Sequence, residues 1–429
     1  MARLTGLIWA AAAYNMSGYS TVTRNYLLGL EKIGFRVKLV EIGQGERYLD
    51  KEVIERLDRL QAADVGKCPA LVIHSVPDFF DSVAFEHIPF KIACTIFETH
   101  GLPDHWVPIL NSFDEVWVPS EFNKSSFASS GVDSQRIWVI PYGIHLQAYR
   151  SEAADSFPFP KKGFTFLYVC EVTCRKGLDL LLDAYTSEFS AADNVSLILK
   201  LSLPGRTEIK NEEAIAYLLQ LYPNSNWLTK PYAPHLTVLT GSYNRKQLCY
   251  LYKSADLYIS TDRANGWGVP CMEAMVLGTP AATIDWSGST EFMNAENSLL
   301  IRPENELEPV DPRMITPPHF LYRNQMWAKV NVSTVRSTLR YAYENRLRLR
   351  EIGQKGVETI RKNFSIEKIA SKIADHVSTI EVVTNQCNGR LFRVAKKKQS
   401  LRLRFKRQIE IGAERIHERV KVLMRNILS

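Results

Sequence analysis

The segment from Ala255 to Ile301 constrains the fold more than any other part of the chain. A short apolar run, Leu257 to Ser260, reads as a buried strand. It breaks into Asn265-Gly266-Trp267-Gly268-Val269-Pro270, and a helix follows that carries Glu273 on its first turns. A second strand, Pro280 to Ile284, leads into the small-residue turn Trp286-Ser287-Gly288-Ser289-Thr290 and another helix start. Two consecutive strand–turn–helix units imply a parallel sheet with helices on its faces. They put several backbone N–H groups and two helix N-termini on one rim, where anionic groups bind without positive side chains. Glu273 can face the same rim and accept hydrogen bonds from sugar hydroxyls.

The alternation extends over most of the chain. Gly6 to Trp9, Arg36 to Glu41, Ala70 to His74, Lys91 to Phe97, Asp114 to Pro119 and Arg136 to Pro141 read as strands of a first sheet, with an amphipathic helix over Ser20 to Gly34. Ser151 to Gly163, rich in Ser, Pro and Lys, reads as a linker. A second set runs through Thr165 to Val169, Ser196 to Leu201, Thr237 to Thr240, Leu257 to Ser260 and Ala281 to Ile284, and ends in amphipathic helices over Val332 to Lys362 and Ile366 to Ile380. At 429 residues the chain suits two cores. The predicted fold is α/β, two doubly wound Rossmann-like domains facing a cleft. The expected division is residues 1–148, 149–385 and a tail, 386–429.

That tail explains the net charge of +7. From Arg390 onward there are thirteen basic and three acidic residues, a net +10 that leaves residues 1–389 at −3. Phe405, Ile409, Ala413, Ile416, Val420, Leu423 and Ile427 form a helical stripe beside the charges. A basic amphipathic helix of this kind lies on an anionic membrane surface, pairs with a partner helix or covers the protein's own body. No aromatic interleaving points to nucleic acid. No apolar run is long enough to span a membrane, and Leu4 to Ala10 reads as the first strand rather than a signal peptide. Seven scattered cysteines without a C-x-x-C pair suggest free thiols, neither a disulfide framework nor a zinc site. The expected location is cytoplasmic, peripheral on the membrane if the tail binds it.

The Gly266 to Met275 stretch resembles the donor-site motif of family 4 retaining glycosyltransferases, which have the GT-B fold. Gly266, Trp267, Gly268, Pro270, Glu273, Ala274 and Met275 match that motif; Asn265 stands where the family has its first glutamate. Phe97-Glu98-Thr99, the run from Asp114 to Phe127, Val139 to His145 and Phe166 to Tyr185 resemble the family in consistent order, so the likeness spans roughly residues 4 to 380. It implies transfer of a hexose from a nucleoside diphosphate sugar to a glycan or lipid-linked glycan. No His, Asp or Glu cluster has metal-ligand spacing and no D-x-D stands in a strand-end loop, so no metal ion or other cofactor is expected.

Each candidate residue has a chemical reason and a plainer alternative. Lys176, in Arg175-Lys176-Gly177, follows a strand and opens a helix; the resemblance makes it the phosphate-binding lysine, which stabilises the leaving diphosphate electrostatically. Arg175 is its companion, and a solvated surface pair is the alternative. Glu273 resembles the glutamate that binds the two ribose hydroxyls, against an acid merely favoured near a helix N-terminus. Asn265, with Gly266, Trp267 and Gly268, would meet the donor sugar; Asn donates and accepts hydrogen bonds but carries no charge. Gly18 lets the backbone approach a ligand beyond the first strand, or is an ordinary turn glycine. His100 lies beyond the strand Lys91 to Phe97, where the family places a histidine against the transferred sugar; Glu98 or Thr99 could hold that register instead. Asn265 also leaves open a non-catalytic binding or scaffold role, and fold alone leaves open another GT-B enzyme such as a nucleotide-sugar epimerase.

Overall fold

The computed structural model describes residues 1–15, 17–43, 49–85, 88–149, 159–204, 206, 208–223, 233–315, 320–383 and 394–396. Its described residues divide into two compact units, Met1–Leu146 joined by Arg361–Val383 and 394–396, and Gln147–Ile360.

In the first unit, β1 (Gly6–Ala11), β2 (Val37–Glu41), β3 (Pro69–His74), β4 (Lys91–Cys94), β5 (Glu115–Val118) and β6 (Ile137–Val139) form one sheet in the order β2-β1-β3-β4-β5-β6. Every pairing is parallel. β1 and β3 are buried along their whole length, as strands covered on both faces must be, and therefore read as continuous apolar runs. The helix α1 (Gly18–Lys32) follows β1, with the Ser17 hydroxyl capping it by accepting the Ser20 N–H at 3.2 Å.

In the second unit, β7 (Phe164–Glu171), β8 (Val195–Ser202), β9 (His235–Leu239), β10 (Leu257–Ser260), β11 (Ala281–Ile284) and β12 (Leu299–Ile301) form a sheet in the order β9-β8-β7-β10-β11-β12. It too is parallel throughout. Strand order runs outward from β7 in one direction, then resumes on its other side with β10. The crevice outside the carboxyl ends of β7 and β10 is therefore the topological switch point, where doubly wound sheets hold ligands. Three helices bear on that rim: α2 (Leu178–Glu188) after β7, α3 (Arg245–Lys253) after β9 and α4 (Val269–Val276) after β10.

Four expectations change. The helix predicted over Val332 to Lys362 is two, α5 (Val332–Glu344) and α6 (Arg346–Asn363). The break is at Asn345, whose backbone leaves the helical region at φ −114° and ψ 49° while its N–H, at 3.0 Å, and its side-chain amide, at 2.8 Å, both donate to the Tyr341 carbonyl. The helix expected after Trp286 is a single 3-10 turn, Gly288–Glu291, so the second helix N-terminus does not exist. The chain from Arg361, including α7 (Ile366–Thr379), belongs with the first unit and not with the second as the linear division had it. Ile366, Ile369, Ala370, Ile373 and Val377 form the buried face of α7, which packs on α1. Lys32 pairs with Glu367 across the same packing, and His376 of α7 meets Glu115 at the start of β5 at 2.9 Å.

Finally, Cys68 is disulfide-bonded, which corrects the expectation of free thiols throughout; Cys94, Cys170, Cys174, Cys249 and Cys271 are free and buried. Within the predicted tail only 394–396 are described, as a short strand antiparallel to Val83–Phe85. The helical stripe from Phe405 to Ile427 lies outside the described residues. Among the described residues no helix is long and apolar enough to cross a membrane.

Candidate functional site

The loops leaving β7 and β10 are tied together at the switch point. Gly177 has φ +59°, and a Cβ there would come within 2.1 Å of the Thr261 carbonyl oxygen, so only glycine allows the two backbones to meet. Thr261 donates its hydroxyl to the Gly177 carbonyl at 2.9 Å, the Arg263 N–H donates to the Arg175 carbonyl at 2.8 Å, and the Arg175 guanidinium donates to the Ala264 carbonyl at 2.8 Å. Arg175 is thus a brace between the loops. Arg263 adds a bidentate pair to Asp179 at 2.7 and 2.8 Å in the first turn of α2.

This frame aims Lys176. Its Nζ lies 2.6 Å from Asp262 Oδ2, and the Tyr168 hydroxyl donates to Asp262 Oδ1. Burial, and then the Asp262 charge, hold the Tyr168 phenol well above its usual range, so it stays a donor. An ammonium has three donors; Asp262 takes one, and the others have no protein acceptor among the described residues. The Lys176 side chain keeps 17% exposure against 5% for Asp262. The arrangement is an oriented, partly accessible cation at the carboxyl rim.

The Gly-rich loop after β10 is zipped to the loop after β11. The Gly288 N–H donates to the Asn265 carbonyl at 2.9 Å, and the Asn265 N–H to the Ser287 hydroxyl at 3.0 Å. A Cβ on Gly288 would fall 1.8 Å from the Gly266 carbonyl oxygen. Two of the N–H groups expected to bind anions are therefore spent inside the protein. Asn265 is buried; its Nδ2 reaches Ser289 at 3.4 Å, while its Oδ1 has no partner among the described residues. Trp267 packs its indole inward, 5.1 Å from the Phe292 ring. Gly268, at φ +88°, caps α4.

Glu273 is the second charged centre. Its Oε1 accepts the Tyr149 hydroxyl at 2.6 Å and Arg245 at 2.9 Å; its Oε2 accepts the Tyr252 hydroxyl at 2.9 Å. Arg245 also donates to the Tyr149 oxygen and stacks on its ring, 4.7 Å from the centroid. Burial first, then the Glu273 charge, raise both phenols far above their usual range, which keeps them protonated donors. Asp262, Tyr149, Arg245 and Tyr252 were missed from the sequence. Asp262, two residues past the strand end, stood in the motif segment and was legible there. Tyr149 lies 124 residues from Glu273, and no local pattern announces it.

The two candidates in the first unit lie on its own carboxyl rim. Gly18 is the first residue of α1, and a Cβ there would meet nothing within 4 Å, so close packing does not demand glycine. The loop before it is pinned by Arg24, which donates to the Ala13 and Asn15 carbonyls, both at 2.7 Å. His100 is exposed in the bend beyond β4, which ends at Cys94 rather than Phe97. His74, at the end of β3, is buried instead: its Nδ1 meets the Thr23 hydroxyl at 2.9 Å, and burial lowers its pKa to about 3. Among the described residues no three His, Cys, Asp or Glu side chains converge to hold a metal ion.

Residues 150–308 match the family model for glycosyl transferases group 1, a span that holds Lys176, Asp262, Asn265 and Glu273. That stretch is therefore similar to group 1 glycosyl transferases, and the fold is the GT-B arrangement that the solved neighbours share. HepE of Anabaena, solved with UDP and glucose, aligns over 88% of this chain and 100% of its own at a TM-score of 0.59 and 12% identity. A glycosyltransferase of Rickettsia africae aligns over 87% and 98% at 0.58 and 13%. Sucrose-phosphate synthase of Thermosynechococcus elongatus aligns over 87% and 98% at 0.56 and 15%. At these identities the likeness is one of fold. No curated protein matches the chain in sequence.

Proposed function

We propose that the protein is a retaining, family 4 glycosyltransferase that moves a hexose from a nucleoside diphosphate sugar to a glycan or lipid-linked glycan. The observation that carries this reading is Lys176, held by Asp262 with donors to spare, at the switch point of a group 1 domain. There the ammonium would meet the diphosphate, whose charge grows as the glycosidic bond breaks. A fixed cation lowers that barrier with no proton transfer. Glu273 would accept from the ribose, and Asn265 from the sugar. HepE binds UDP and UDP-glucose, which supports a nucleotide-sugar donor here. On this reading positioning and electrostatics do the work, and neither a metal nor a covalent nucleophile is required.

Lys176→Ala removes a charge-assisted contact worth about 1.5–3 kcal/mol, a loss of about tenfold to over a hundredfold in donor-dependent rate. Glu273→Ala should raise the donor KM. An active protein in which both variants keep full rates would refute the assignment. Asn265 and the Asp262 carboxylate at the cation favour a second reading, a non-catalytic GT-B binding protein. It would be shown by nucleotide-sugar binding with neither transfer nor hydrolysis.

A further inference from the structure

The Glu273 carboxylate is already crowded. A carboxylate has about four acceptor directions, two on each oxygen. Tyr149 and Arg245 fill both on Oε1, and Tyr252 fills one on Oε2. One direction remains, on Oε2. The occupants are not loosely placed: Tyr149 and Tyr252 are buried, and the Arg245 guanidinium is bonded to Tyr149 and stacked on its ring. Displacing Tyr149 would strand a buried hydroxyl and unseat Arg245 at once, a cost that a single exposed bond would not carry.

We propose that Tyr149 is a specificity-determining residue: with Arg245 it closes Oε1 of Glu273, so the carboxylate accepts one hydroxyl of a bound ribonucleotide and not both. The proposal rests on the nucleotide-sugar reading above. It departs from what the family resemblance implies, in which the matching glutamate binds the 2′- and 3′-hydroxyls together. Tyr149 is thereby a ligand surrogate built into the protein, occupying the direction a second ribose hydroxyl would use.

The test is calorimetric titration of the full chain with uridine, adenosine and guanosine diphosphates, then with the 2′-deoxy and 3′-deoxy forms of whichever binds. One deoxy form should bind about tenfold or more weakly than its parent, the other within about twofold. In Tyr149→Phe, which opens Oε1 and keeps the ring beneath Arg245, the second deoxy form should fall by a similar factor against that variant's parent nucleotide. Equal weakening by both deletions in the unaltered protein would mean that the ribose displaces Tyr149, and would overturn the proposal. So would equal binding of all three forms. If none of the three diphosphates binds, the donor reading itself fails, a distinct result that removes the ground beneath this one.

Discussion

At the scale of single residues, charge and burial decide what each group can do. His74 illustrates the limit of reading a histidine as chemistry. Its ring is enclosed by Trp9, Tyr19 and Tyr26, with the Tyr19 centroid at 5.1 Å, and burial lowers its pKa to about 3. It is neutral at any physiological pH. In the unfolded chain a histidine titrates near 6.5. The folded-state pKa is thus depressed, and the neutral ring's contribution is complete above about 6.5. It drains away as pH falls from there toward 3, by about 1.4 kcal/mol per unit. Urea unfolding at pH 7 and pH 5 should therefore show a larger loss for the unaltered protein than for His74→Asn. An equal loss in both would assign the acid sensitivity elsewhere. Lys176 shows the opposite case, since its type and place were readable from Arg175-Lys176-Gly177 after a strand. What could not be read was Asp262 as its anchor, because that pairing joins loops 86 positions apart.

At the scale of elements, glycines mark where two backbones must touch. Gly29 lies inside α1, where helix propensity alone would favour alanine by about 1 kcal/mol. A Cβ there would stand 2.6 Å from the Ile366 carbonyl oxygen and 3.2 Å from the Ala370 Cβ. The obstacle is backbone, which cannot swing aside as a long side chain does. Gly29→Ala should therefore destabilise the first unit by about 1–3 kcal/mol, the usual penalty for overpacking, despite the better propensity. A variant as stable as the parent in urea would show that α7 can move off α1 without cost. The strands themselves were legible: β3 and β10 are largely apolar runs that bury on both faces, and β8 is apolar apart from Ser196, Lys200 and Ser202. The missed strand β12 is three residues at the sheet edge, too short to carry a pattern.

At the scale of the molecule, charge divides the chain more sharply than the fold does. Residues 1–389 carry −3 and the forty that follow carry +10. We propose that the basic segment is a peripheral anchor, to an anionic membrane surface or a partner helix. Each basic residue near anionic lipid contributes about 1 kcal/mol. Both sheets and α7 are complete before residue 384. Among the described residues, a chain ended after Gln386 gives up only the short 394–396 pairing with Val83–Phe85 and keeps both six-stranded sheets, so it should stay folded and keep nucleotide binding while losing co-sedimentation with anionic vesicles or capture of its partner. Aggregation or early melting would show instead that the segment covers the body.

The sequence by itself determined the two parallel sheets, because apolar strands alternating with amphipathic helices have few ways to bury both faces. It also determined where the charged residues of the rim arise, because strand ends and Gly turns are local signals. Tertiary structure alone decided that the chain from Arg361 returns to the first unit, that Asp262 anchors Lys176, and that Tyr149 and Arg245 close one oxygen of Glu273. These are pairings between distant segments. Their partners are chosen by packing and by the cost of leaving a buried charge unmet, which no window of residues contains.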